Sequence, residues 1–353
     1  MDELFYQAVD LLKQLISTPS ISRDEAAAAD IVEQFINNAG HQTRRHNNNV
    51  WTIADDYDPS RPTLLLNSHI DTVKPAPGWQ HDPFTPQVDD ENRLFGLGSN
   101  DAGASLVSLL AAYLFKSGQQ RSYNLVFLAS CEEEVSGRDG IEAAIPLLPH
   151  IDVAIVGEPT GMNPAIAEKG LMVLDAEIDG VAGHAARNEG VNAIYQAMSV
   201  IETLRHLRLP KESATLGPVK ISVTQINAGT QHNVVPSLCK MVVDVRTTDA
   251  YTNEETLARL REAVPQCRLT PRSTRLNPSG ISPDHPIIKR MTILGAKPFG
   301  SPTLSDQALM PWQSVKLGPG DSSRSHTADE YITLDEIREA IATYIALLDG
   351  LNI

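Results

Sequence analysis

Leu125-Val126-Phe127-Leu128-Ala129-Ser130-Cys131-Glu132-Glu133-Glu134 joins an unbroken apolar run to three consecutive carboxylates. A run this short and this apolar fits a strand buried on both faces within a parallel sheet. Three negative charges at the mouth of such a strand resist ionising together unless a cation neutralises them, and a metal ion is the obvious candidate. Acids opening a helix, where the macrodipole favours negative charge, would explain the stretch equally well by itself. Two other buried-looking strands also end in side chains able to bind metal. Leu64-Leu65-Leu66 leads into Asn67-Ser68-His69-Ile70-Asp71, and Val153-Ala154-Ile155-Val156 runs into Gly157-Glu158-Pro159-Thr160. Ligands in sheets of alternating strands and helices collect at the carboxyl ends of strands, so the repetition points to one shared site. His69 and Asp71, two apart in an extended segment, face the same way, and a ligating imidazole commonly donates its second N–H to a carboxylate. Taken singly, each of these signals is weak, and Asp101 alone reads as the cap of the helix behind it.

The elements that would hold such a site are legible along the chain. Met1 to Leu15 has an amphipathic helical pattern, and Asp24 to Asn38 is predicted as a second helix ending at Gly40. Strands are expected near Val50 to Ala54 and Thr63 to Asn67. The glycine-rich loop Gly96-Leu97-Gly98-Ser99-Asn100-Asp101 precedes a strongly apolar helix from Ala102 to Lys116, and another helix is expected near Gly140 to Leu148. A dinucleotide fingerprint is excluded because Asp101 stands where a third glycine is required. From about Leu171 the order becomes β-α-β-β-α-β: strands over Leu171–Ile178, Val219–Ile226, Leu238–Arg246 and Cys267–Arg272, with helices over Val191–Leu207 and Glu254–Val264. That order is the signature of a small split-βαβ domain inserted into the first. The polar loop from Gly318 to His326 follows, and Thr333-Leu334-Asp335-Glu336 forms a capping box for a final helix to about Leu348.

Composition narrows the function. The 353 residues carry 42% hydrophobic side chains, enough for a substantial core, and 29 Lys plus Arg against 44 Asp plus Glu give a net charge of −15. That balance argues against a nucleic-acid or anionic-membrane partner held by a basic patch. The N-terminal helix carries Asp2, Glu3 and Asp10 rather than a basic start and an apolar core, and no run approaches membrane-spanning length. Cys131, Cys239 and Cys267 are widely spaced and suggest neither a disulfide framework nor a thiolate metal site, so a reducing cytoplasm is expected.

In order and interval, His69-x-Asp71, Gly98-x-x-Asp101, Glu132-Glu133, Gly157-Glu158-Pro159-Thr160 and His326 resemble the two-zinc aminoacylase, carboxypeptidase and deacetylase family, and the resemblance covers essentially the whole chain. It implies an α/β, mixed-sheet, zinc-peptidase-like catalytic domain over residues 1–170 and 281–353. It also implies an inserted ferredoxin-like α+β lid and dimerisation domain over 171–280. By the same resemblance His69 and Glu158 bind one zinc, Glu133 and His326 bind the other, and Asp101 bridges them. Glu132 is the expected general base, Asp71 orients His69, and Glu134 is left as a helix-start acid. Two Zn²⁺ per subunit are implied, with Co²⁺ as the substitute ion. The donor types suit zinc, and three ligand carboxylates against four positive charges leave one positive charge over. Adjacent Glu132 and Glu133 would face opposite sides of a regular strand, so the backbone must turn between them.

The resemblance extends to Val181-Ala182-Gly183-His184-Ala185-Ala186, whose histidine would reach the partner subunit's site in a homodimer joined through the inserted domain, supplying an oxyanion donor. Alone, His184 reads as an exposed loop residue. Asn233 and Arg246 are the implied substrate-holding residues, Arg246 by forked binding of an α-carboxylate, although pairing with Asp244 or Asp249 serves it equally well. The chain departs from the family pattern at Leu97 and Gly103, where cations are usual, and at Cys131, taken as the position before the base. The expected reaction is hydrolysis of the amide of an N-acyl amino acid, foremost N-acetylornithine in arginine biosynthesis, with N-acetylcitrulline or an N-succinyl derivative as variants. Succinyl-diaminopimelate desuccinylation, a broad aminoacylase or dipeptidase activity, and non-catalytic binding of amino-acid conjugates are the alternatives.

Overall fold

The computed structural model describes residues 2–353. The chain begins with α1 (Asp2–Ile16) and α2 (Ala26–Asn38), followed by strands β1 (Thr43–His46), β2 (Asn49–Ile53) and β3 (Thr63–His69). Then come α3 (Ala104–Ser117), β4 (Asn124–Ser130) and β5 (Val153–Val156). The middle of the chain supplies β6 (Gly170–Asp179), α4 (Ala193–His206), β7 (Lys220–Ala228), β8 (Leu238–Thr247), α5 (Asn253–Ala263) and β9 (Arg268–Pro271). The last part holds α6 (Pro286–Ile293), β10 (Gln313–Lys316) and α7 (Leu334–Leu348). Contacts divide the chain into two units. The first runs to Ile166 and resumes over Gly280–Phe299 and Ser305–Ile353; the second is Ala167–Ser279 with Gly300–Leu304.

In the first unit six strands lie in the order β1-β2-β4-β3-β5-β10. β3 is parallel to β4 and β5, β5 is parallel to β10, and β1 and β2 run antiparallel at the edge, so the sheet is mixed. Every residue of β3, β4 and β5 is buried, as expected of strands covered on both faces. Alternate residues serve alternate faces. Leu64, Leu66, Leu125, Phe127, Val153 and Ile155 join the core under α1, α2, α3 and α7, whereas Leu65, Val126, Leu128, Ala154 and Val156 pack with Trp51 and Ile141 on the other side. Register then sets the site. His69 pairs with Ser130, and Asn67 pairs with Val156, so His69, the Cys131–Glu134 segment and Glu158 leave the sheet at one level.

The second unit is a four-stranded antiparallel sheet in the order β7-β8-β6-β9, the split-βαβ arrangement. β6 alternates buried and half-buried residues along its length, and its buried face, with that of β8, packs on α4 and α5. The opposite face carries paired charges, Arg268 and Lys240 on Glu177 and Arg272 on Asp175. Both capping boxes are formed, Thr252 with Glu255 and Thr333 with Glu336. α3 starts two residues later than its sequence pattern, because Asp101 and Ala102 take non-helical φ/ψ, and α2 starts at Ala26 rather than Asp24. All three cysteines are buried and free, and among the described residues no helix is long and apolar enough to cross a membrane.

Candidate metal centre

His69 closes β3 and is 2% exposed. Its Nδ1 lies 2.9 Å from the backbone carbonyl of Asp71, so Nδ1–H donates there and Nε2 is left with its lone pair. Buried Nε2 has no hydrogen-bond partner, and the nearest oxygens are Asp101 Oδ1 at 3.4 Å and Glu158 Oε1 at 3.8 Å. The Asp71 carboxylate, expected to orient His69, lies further from the same nitrogen, its Oδ1 3.6 Å from Nδ1. The carboxylate is engaged elsewhere. Its Oδ1 accepts the N–H of Glu133 at 3.0 Å, and its Oδ2 accepts the N–H of Glu134 at 3.2 Å and the Ser22 hydroxyl at 2.7 Å.

The turn expected after β4 is present. Glu132 takes the left-handed conformation, φ 55° and ψ 23°, and a short 3₁₀ turn over Glu133–Val135 follows. Ligand-capable atoms converge in three groups, His69 with Asp101 and Glu158, Asp101 with Glu134 and His326, and His69 with Glu133 and Glu134, each within 4.8 Å. Glu134, not Glu133, meets His326, its Oε2 lying 3.0 Å from His326 Nε2, while Asp101 Oδ2 lies 3.5 Å from the same nitrogen. Glu132 joins none of these groups. Its side chain lies against Gly137, where an added Cβ would stand 1.6 Å from Glu132 Oε2. At this left-handed turn Glu132 is buried apart from the three groups, and Glu133 and Glu134 join them.

The electrostatics are those of a site built for cations. Burial raises Glu133 well above the ordinary carboxylate range, and the charge of Glu158 adds to the shift. Burial likewise pushes Glu158 up to about 8, against the pull of His69 and with further repulsion from Asp101. Burial disfavours a charged His69, yet the Asp101 contact and the charges of Glu133 and Glu158 outweigh it and raise this imidazole. His326 is raised to about 9, chiefly by its hydrogen bond to Glu134. Glu133 and Glu158 are thus driven to keep protons and the imidazoles to gain them, while the two imidazoles hold Asp101 below its ordinary range against its burial; divalent ions would supply the same compensation. With the free Nε2 of His69 and an all N/O donor set, the residues fit two such ions.

Glu330, which carries no recognisable spacing signal, completes the support. It is almost fully buried and accepts the N–H groups of Gly98, at 3.1 Å, Asn100, at 2.8 Å, and Asp101, at 2.9 Å. Burial pushes its pKa up to about 8 despite those bonds.

His184, Asn233 and Arg246 lie in the second unit. The short strand of Gly183 and His184 pairs with Val234 and Val235, and Ala185 N–H donates to the carbonyl of Asn233 at 3.0 Å, so His184 and Asn233 sit on adjoining loops. His184 is exposed. Arg246 makes a forked pair with Asp244 at 2.9 and 3.1 Å, the structural role that its sequence left open.

A mixed α/β sheet with convergent His, Asp and Glu donors at its strand ends defines a metal-dependent amidohydrolase. The chain belongs to peptidase family M20/M25/M40, whose family model matches residues 65–350. It is 29% identical to an acetylornithine deacetylase of Klebsiella pneumoniae over 92% of both chains. It is 26% identical to a succinyl-diaminopimelate desuccinylase of Stenotrophomonas maltophilia over 97% of this chain and 98% of the other. Among solved structures, a dinuclear metal binding peptidase of this family from Bacillus subtilis superposes with a TM-score of 0.75 at 14% identity, covering 99% of this chain and 98% of that one.

Proposed function

We propose that this chain is a dinuclear deacylase of N-acyl amino acids in which Glu133 is the general base and Glu134 a metal ligand. The supporting observation is the Asp101 carboxylate between two imidazoles, with Oδ1 3.4 Å from His69 Nε2 and Oδ2 3.5 Å from His326 Nε2. His69, Asp101 and Glu158 would hold one ion and Asp101, Glu134 and His326 the other, with zinc as the first choice and cobalt as its substitute. Such a pair, when bound, acidifies a shared water and polarises the acyl carbonyl. Glu133 takes the proton at its carboxylate and returns it to the departing amine nitrogen. With Glu133 as base, the residue before it is acidic Glu132 rather than Cys131, so that departure from the family pattern closes.

N-Acetylornithine is the first substrate to test, on the strength of the deacetylase relatives, which would place the enzyme in cytoplasmic arginine biosynthesis. Homodimerisation through the second unit is supported by exposed apolar side chains there, Tyr195 at 69% and Met198 at 63% on α4 and Ile226 at 54% on the edge strand β7. His184 and Asn233 are proposed to contact substrate across that dimer, and Arg246 to hold its carboxylate by exchanging Asp244. The test is a hydrolysis panel with added Zn²⁺ or Co²⁺: N-acetylornithine, N-acetylcitrulline, N-succinylornithine, N-succinyl-diaminopimelate and a dipeptide. Turnover of an acylated amino acid is expected. Absence of turnover across the panel would return the chain to a non-catalytic binder of conjugates.

A further inference from the structure

In the turn that carries Glu133 and Glu134, three consecutive backbone N–H groups are taken by side-chain carboxylates. Asp71 holds those of Glu133 and Glu134, and Glu25 Oε1 holds that of Glu132 at 3.3 Å. Glu25 is 0% exposed. It also accepts the N–H of Arg23 through Oε1, at 2.5 Å, and the Asn48 amide through Oε2, at 3.1 Å. A buried carboxylate is costly unless hydrogen-bonded, and this one is matched entirely to donors of the surrounding loops. Three residues earlier, the Ser22 hydroxyl donates to Asp71 Oδ2 at 2.7 Å. The backbone ties the same segment to the strand end, because Thr72 N–H donates to Ser20 O at 2.9 Å and Ser22 N–H to Thr72 O at 3.1 Å.

We infer that the Ser20–Glu25 segment is a positioning strap for the catalytic turn, with Glu25 acting through the Glu132 N–H and Ser22 acting through Asp71. The inference rests on the reading of Glu133 as base and Glu134 as ligand. The left-handed conformation of Glu132 carries a steric cost for a residue with a side chain, which contacts around it can offset as compensation. Here the compensation comes from acceptors placed on each side of the residue, Glu25 on the N–H of Glu132 and Asp71 on the next two. The same turn decides where both working carboxylates point. The late start of α2 has its reason in this segment, since Glu25 stands at the cap position of that helix yet makes no side-chain cap bond to it. Its carboxylate is spent on the turn instead.

The experiment compares Glu25→Gln, Ser22→Ala and, as a control, Tyr123→Phe, which removes the buried 2.8 Å bond from Tyr123 to the carbonyl of Leu348. Each full-length protein is stripped of metal and titrated with Zn²⁺ by calorimetry, and kcat and KM are measured on N-acetylornithine. In Glu25→Gln the amide turns a donor toward donors. It should bind the first zinc equivalent as wild type does, bind the second ~10-fold more weakly, and lose at least ~10-fold in kcat with KM within about twofold. Ser22→Ala should move the same quantities in the same direction by a smaller factor, and Tyr123→Phe should lower Tm alone. If Glu25→Gln and Ser22→Ala lower Tm while both zinc affinities and kcat stay at wild-type values, the strap is only structural and the inference fails. If wild type takes up fewer than two equivalents, the reading of the site fails and the strap falls with it.

Discussion

Glu134 Oε2 stands 3.0 Å from His326 Nε2, although 192 residues separate them in the chain. The contact supports the proposed roles within the acidic triplet, since the carboxylate that meets this imidazole beside Asp101 is the third of the three and not the second. A left-handed residue, Glu132, precedes the turn that carries both Glu133 and Glu134. Glu133 groups with His69 and Glu134, and burial with the charge of Glu158 raises its pKa.

Metal-free protein should lose stability as pH rises. Glu158 and Glu330 are raised in the folded state from 4.5 to about 8, so the folded chain binds protons that the unfolded chain releases, and stability falls from about pH 4.5 to about pH 8. His326, raised from 6.5 to about 9, contributes stability that is complete below 6.5 and gone above 9, which has the same sign. The Tm of chelator-treated protein should therefore decline between about pH 5 and pH 9, and the gain in Tm on adding Zn²⁺ should grow over that window. A metal-free Tm that climbs across it would contradict the electrostatic description of the site.

Glu330→Gln should damage the loop that presents Asp101. The amide would turn its N–H₂ toward the Gly98 N–H or toward those of Asn100 and Asp101, leaving a buried donor unpaired at a cost of about 1–3 kcal/mol. Denaturant unfolding of the metal-free variant measures this loss, and the zinc affinity of the variant should fall with it.

Tyr195→Glu combined with Met198→Glu tests the proposed dimer. Both side chains are exposed on α4, so the monomer should fold with stability changed by no more than about 0.5 kcal/mol. Sedimentation should then show a dimer for wild type and a monomer for the variant, with turnover lost if His184 serves the partner's site. A wild-type monomer with full activity would remove both the interface and that role for His184.

Much of the fold was legible because its signals are local. The buried strands, the β-α-β-β-α-β order and the capping box at Thr333 are written in side-chain type and period, and the structure forms them with shifts of one or two residues at their ends. His69, Asp101, Glu158 and His326, which the structure gathers, were legible from their combined order and interval rather than from any one residue. The proposed order of roles within Glu132-Glu133-Glu134 was not, because a left-handed backbone at a glutamate has no side-chain signature. Glu25 and Glu330 carry no sequence signal for a related reason. Each works by accepting backbone N–H groups from distant loops, and that function imposes no residue type or spacing on its partners.

The account is tested most directly by zinc stoichiometry and turnover measured together on Glu132→Gln, Glu133→Gln and Glu134→Ala. Glu133→Gln should bind two zinc ions and lose about 10²–10⁴-fold in kcat, as removal of a general base does. Glu134→Ala should bind one, and Glu132→Gln should bind two and keep turning over substrate. Two bound ions without turnover in Glu132→Gln, beside an active Glu133→Gln, would contradict it.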